Sequence, residues 1–161
     1  MSFRSWLVVG VLGLAVPVSA ADSAAPARQY VDVSSYLTSE ADFEAWYQLR
    51  ANLDQNFDAI CGDTFCEGDY SNIQSLRFRC SVDSRTGVLG ECVWVFAASN
   101  EEVDPATGAI TVQTQSFTCK APLAPRTTLR AFLDALSGPS PLYAPLPRTQ
   151  TSLYDGLVDC L

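Results

Sequence analysis

The chain has 161 residues, 18 acidic against 10 basic side chains and a formal charge of −8. Acidity of this size argues against nucleic acid or an anionic membrane surface as partner, because both attract basic proteins. Histidine is absent and Lys120 is the only lysine, which removes the usual general base, the Ser-His and Cys-His nucleophilic systems and the commonest metal ligand.

Residues 1–20 have the pattern of a secretory signal peptide. Arg4 gives a basic start, Trp6 to Val16 is an almost unbroken apolar run, and Pro17 precedes the small-residue cleavage site Val18-Ser19-Ala20. The segment is too short for a mature membrane anchor, and nothing later approaches the ~18 consecutive apolar residues of a membrane helix. The remainder, about 140 residues, is the size of one ordinary domain. It carries one more net negative charge than the whole chain, since Arg4 leaves with the leader. The expected product is exported, periplasmic or secreted, with no transmembrane segment in the mature chain. All six cysteines follow the leader; in an exported protein an even number implies three disulfides, with fifteen possible connectivities.

Residues 21–36 read as a flexible leader, with Tyr30-Val31-Asp32-Val33 able to form a short strand or lie across the core. Ser39-Glu40-Ala41-Asp42 resembles a capping box with Asp in place of Glu. From there Phe43, Trp46, Tyr47, Leu53, Phe57 and Ile60 recur at near-helical spacing, with Arg50 on the edge of the stripe. A helix from Ser39 to Asp58 follows, its aromatic stripe facing the core. The segment from Cys61 to Tyr70 is a tight acidic loop bracketed by Cys61 and Cys66. In the first strand Leu76, Phe78, Cys80 and Val82 alternate with Arg77, Arg79 and Ser81, the pattern of a half-buried strand. A turn at 83–87 leads to a second strand from Val88 to Ala98. That strand is apolar on both faces and therefore central. Residues 100–108 connect to a third strand, Ala109 to Cys119, whose polar middle suits a sheet edge.

Leu129, Phe132, Leu133 and Leu136 fit the helical template, with Gly138 as a stop. Pro139, Pro141, Pro145 and Pro147 make a stiff, extended connector. A last Ser-x-x-Asp cap, Ser152 to Asp155, opens a segment in which Leu153, Leu157 and Leu161 share a face, although Gly156 is unfavourable in a helix. No internal repeat and no second domain is visible. The pattern predicts one α+β domain over 37–161: an N-terminal helix, a three-stranded antiparallel meander, and one or two C-terminal helices, stabilised by disulfides.

A three-residue hairpin loop, Arg85-Thr86-Gly87, would place Gly87 at the left-handed position and Cys80 directly opposite Cys92. Cys61–Cys66 and Cys119–Cys160 are then the preferred remaining pairs, with Cys66–Cys160 as a rival.

The acidic loop is the first candidate site. Asp63, Glu67 and Asp69 fall close together, with Phe65 and Tyr70 as aromatic anchors. The ligand spacing of a calcium-binding EF-hand is missing, so no metal and no cofactor is expected. A pair of carboxylates would suffice for glycoside hydrolysis, but no spacing singles one out. Cys61 and Cys66 lack the two-residue spacing of thiol oxidoreductases. A rigid loop of aromatic and charged residues lowers the ordering cost of binding. The expectation is an exported, non-catalytic protein-binding domain, an inhibitor or immunity protein acting on a basic cell-envelope enzyme. A small carboxylate-dependent hydrolase and a structural envelope-associated protein are the alternatives. The sequence sets no oligomeric state.

Overall fold

The computed structural model describes residues 29–61, 70 and 72–161. They form an α+β domain around an antiparallel sheet in the order β1 (Tyr30–Asp32), β2 (Asn72–Asp83), β3 (Leu89–Val103) and β4 (Ile110–Lys120). The helices are α1 (Val33–Tyr36), α2 (Glu40–Cys61), α3 (Leu129–Ala135) and α4 (Leu153–Val158). Four strands stand where the sequence predicts three. The extra one comes from 30–32, inside the stretch expected to be leader, which pairs with β2 from Tyr30↔Asp83 to Asp32↔Ser81. Asp32 then caps α1 by accepting the Ser34 N–H at 2.9 Å.

Helix α2 begins as expected, with the Ser39 hydroxyl accepting the Asp42 N–H and donating to its carboxylate. Its buried stripe is Trp46, Leu49, Leu53 and Phe57. Tyr47, assigned to the core face by spacing, is 57% exposed and lies beneath the Arg50 guanidinium. Leu49 takes the inward place because it sits three residues after Trp46 and four before Leu53. Trp46, Phe57, Phe78, Trp94, Phe96 and Phe132 form one aromatic network, with ring centroids between 4.7 and 6.3 Å. The buried indole N–H of Trp94 donates to Ser75 Oγ at 2.8 Å, which in turn donates to Asp54 at 2.6 Å.

Two irregularities govern the sheet. Register shifts between Ser75 and Arg77, so Leu76 is an extra residue on β2 with no partner on β3. The shift flips the side-chain phase. Ile73 is buried on one side of it and Phe78, Cys80 and Val82 on the other, while Leu76, expected to share their face, is 59% exposed. The second shift lies between Cys80 and Val82, where Gly90 and Glu91 both oppose Ser81, whose hydroxyl accepts the Glu91 N–H at 3.1 Å. The β2–β3 turn has four residues, 84–87, closed by the Asp83 N–H to the Val88 carbonyl. The bulge restores the count that a three-residue loop would have produced, and Cys80 pairs with Cys92 in register and by disulfide.

Cys119–Cys160 is the second disulfide, tying the tail to β4. Cys61 is also disulfide-bonded; Cys66, its expected partner, lies outside the described residues. Helix α4 carries a full capping box between Ser152 and Asp155. Gly156, unfavourable for helix propensity, is required by packing. A Cβ there would sit 3.0 Å from Pro122 Cδ and 3.1 Å from the Lys120 carbonyl oxygen. The proline-rich connector is a series of turns rather than an extended rod. Leu142 and Leu146 are buried, and Asn52 and Asn56 of α2 donate to the carbonyls of Gly138 and Pro139. Among the described residues no helix is long and apolar enough to cross a membrane.

Candidate functional site

The sheet has one covered face. Cys92, Trp94, Phe96 and Ala98 of β3 point into the core beneath the helices, while Val93, Val95 and Ala97 lie half-buried on the outer face with Arg77, Arg79 and Lys120 around them. Beyond the Asn72↔Ser99 pair β2 ends, but β3 and β4 continue together to Val103↔Ile110. The result is a two-stranded arm, 100–113. The sequence pattern predicts a second strand ending near Ala98 and a connection over 100–108. Glu101, Glu102 and Val103 are instead paired strand, because the turn is confined to 104–108. Asp104 Oδ1 accepts the N–H groups of Ala106 and Thr107 at 2.8 and 2.9 Å, and Gly108 has φ 73°.

Every residue from 101 to 116 is exposed. On the outer face of the arm Val103 (66% exposed) stands beside Ile110 (65%), and Val112 (57%) stands beside Glu101. The arm carries Glu101, Glu102 and Asp104 and no basic side chain. It therefore presents an apolar strip with an acidic tip. Alternation in β4 hides this strip, because Ile110 and Val112 sit among Thr and Gln. The signal available was a run from Ile110 to Cys119 with no charged residue.

Of the five residues proposed for the acidic loop, Asp63, Phe65, Glu67 and Asp69 lie outside the described residues. Tyr70 is half-buried, its ring edge-on to Phe117 with centroids 5.9 Å apart. At the other end of the loop Cys61 Sγ lies 3.4 Å from the Ile73 carbonyl oxygen. Both described ends are thus anchored on the sheet beside the root of the arm.

A cleft of about 360 Å³ between α1, the β2–β3 turn and α3 contains Asp42 and Arg130; these face each other at 3.5 Å, and Arg130 also pairs with Asp134 at 3.1 Å. Among the described residues four carboxylates titrate below their ordinary value of 3.8, each for a local structural reason. Burial raises Asp32, but hydrogen bonds from Ser34 and Arg79 and the Arg79 charge outweigh it. The Arg85 N–H holds Asp83 down, the Thr107 N–H holds Asp104 down, and the Ser152 N–H holds Asp155 down. Each is a turn or cap acceptor. No group of three metal-ligating side chains is present among the described residues.

Compared with protein-family models, curated proteins and solved structures, the chain has no match in any of the three.

Proposed function

We propose that this is an exported, non-catalytic binding protein that engages another protein through the β3–β4 arm and the acidic loop, whose described ends Cys61 and Tyr70 pack beside the root of the arm, as an inhibitor or immunity protein of a basic envelope enzyme. The observation that carries the reading is the arm: three exposed apolar side chains, Val103, Ile110 and Val112, next to Glu101, Glu102 and Asp104 on a projection without helix cover. Apolar anchors rimmed by charge of one sign suit an interface with a partner of the opposite sign. The disulfides Cys80–Cys92 and Cys119–Cys160 support export, since such bonds persist in oxidising compartments. Exposure of the strip on the open sheet face also favours a second reading, a structural contact in an envelope assembly.

The experiment is capture from an envelope extract by the oxidised protein. Two variants run beside it: Val103, Ile110 and Val112 changed to serine, and Asp63, Glu67 and Tyr70 changed to alanine. A basic protein that rebinds in purified form, and is lost with either variant, is the expected result. Equal capture by the parent and both variants would remove this surface from the function.

A further inference from the structure

The geometry points to the free edge of β4 as a self-pairing surface: two copies of this chain join antiparallel through β4, merging their sheets. The register identifies the groups that would bond. Ala121 N–H donates to the Cys92 carbonyl at 2.9 Å and Asp104 N–H to the Ala109 carbonyl at 2.8 Å, and between them the β3–β4 register is unbroken. Antiparallel residues alternate between bonding one neighbour and the other. The odd-numbered residues of β4 therefore bond β3, while Ile110, Val112, Thr114, Ser116 and Thr118 turn both backbone groups to the free edge. Among the described residues no strand meets that edge.

Sheet edges are ordinarily blunted by charge, proline, a bulge or shortness. The opposite edge follows that rule, since β1 has three residues. The β4 edge has none of these devices: from Ile110 to Cys119 it contains no charged residue, no proline and no glycine.

Charge selects a second copy as the occupant. A protein of formal charge −8 self-associates most readily where it carries no acid, and β4 is such a strand. With Thr114 opposite Thr114 at the two-fold axis, Val112 faces Ser116 and Ile110 faces Thr118, so all five free-edge residues find partners in one isologous contact. The same register brings Lys120 of one copy, which pairs with Glu91 of its own sheet at 2.7 Å, level with Gly108 at the acidic tip of the other. A foreign strand meets no comparable match, because the edge offers no charged side chain to select it. Pairing also completes the arm: a two-stranded ribbon exposed on both faces is marginal alone, and the second copy makes β4 an interior strand. The outer strip of Val103, Ile110 and Val112 stays open, so the contact does not depend on the binding function proposed above.

Sedimentation equilibrium of the oxidised protein tests this against Thr114→Pro, which removes one free-edge N–H and none of the β3 ladder, and Thr114→Lys, which sets two lysines face to face at the axis. The expected result is a doubling of mass with concentration in the parent and its loss in both variants, each with an unchanged circular dichroism spectrum. Amide exchange provides a readout that needs no variant. At dimeric concentrations the amides of Val112, Thr114 and Ser116 should be protected and lose protection on dilution, while those of Gln113 and Gln115 keep theirs. A parent that stays monomeric at every concentration would overturn the inference. So would a dimer retained by both variants, or even-numbered amides indifferent to dilution.

Discussion

Strand β3 passes through two environments, and the contrast between them explains much of the molecule. Its first half, through Ala98, buries Cys92, Trp94 and Phe96 beneath helices, with β2 on one side and β4 on the other. Past Ser99, among the described residues, it pairs with β4 alone, and from Glu101 onward it is exposed. Yet both ends of the strand close with the same turn. Asp83-Ser84-Arg85-Thr86-Gly87 and Asp104-Pro105-Ala106-Thr107-Gly108 place an Asp carboxylate on the N–H groups two and three residues on and a Gly at φ 68° and 73°. Turn chemistry is local and survives in either setting; burial is what separates a load-carrying strand from a presented one.

Truncation should measure that separation most directly. Phe96→Ala, at a fully buried site, is expected to lower unfolding free energy by about 3–5 kcal/mol in urea titrations. Val112→Ala on the arm should change it by less than ~0.5 kcal/mol. Similar losses at the two sites would mean the arm is packed in solution.

The polar support of the packed half comes next. Ser75→Ala leaves the Trp94 indole N–H unpartnered inside the core and should cost about 1–3 kcal/mol, read as a shift in denaturation midpoint. Gly156→Ala forces a methyl against the Lys120 carbonyl and Pro122 and is expected to cost about 1–3 kcal/mol through overpacking. Gly138→Ala meets open space and serves as the control.

The two turns differ least, and pH separates them. Asp83 and Asp104 both titrate below 3.8 when folded. Such a group contributes stability that is complete above its unfolded pKa and is lost as pH falls through the folded pKa. Global stability should therefore fall with acidification below about pH 3.8, and Asp83→Asn should flatten that fall. Asp104→Asn should leave the global curve nearly unchanged and raise amide exchange at the arm tip alone. Equal flattening by both variants would show that the arm unfolds with the domain.

Much of this was legible in residues whose effect is short-range. The Ser39 and Ser152 caps, the turns beginning at Asp83 and Asp104, the Leu129–Leu136 stripe and the edge position of β4 all follow from chemistry within a few residues. Hairpin spacing predicts Cys80–Cys92, although the spacing holds only because the bulge at Gly90 and Glu91 compensates for a longer loop. The candidate loop was legible as composition alone, and Tyr70 is the one member whose packing against Phe117 is described.

The sequence by itself determined the α+β order, the Ser39 and Ser152 caps, the turn positions and the acidic charge, since propensity, hydrogen bonding within a turn and ionisation act at short range. Only the tertiary structure decided that 30–32 joins the sheet, that Leu76 faces water, that Gly156 must lack a side chain, and that β3 outruns β2 to form an arm. Each depends on where a second segment begins or ends, and one residue's shift in register exchanges the two faces of a strand.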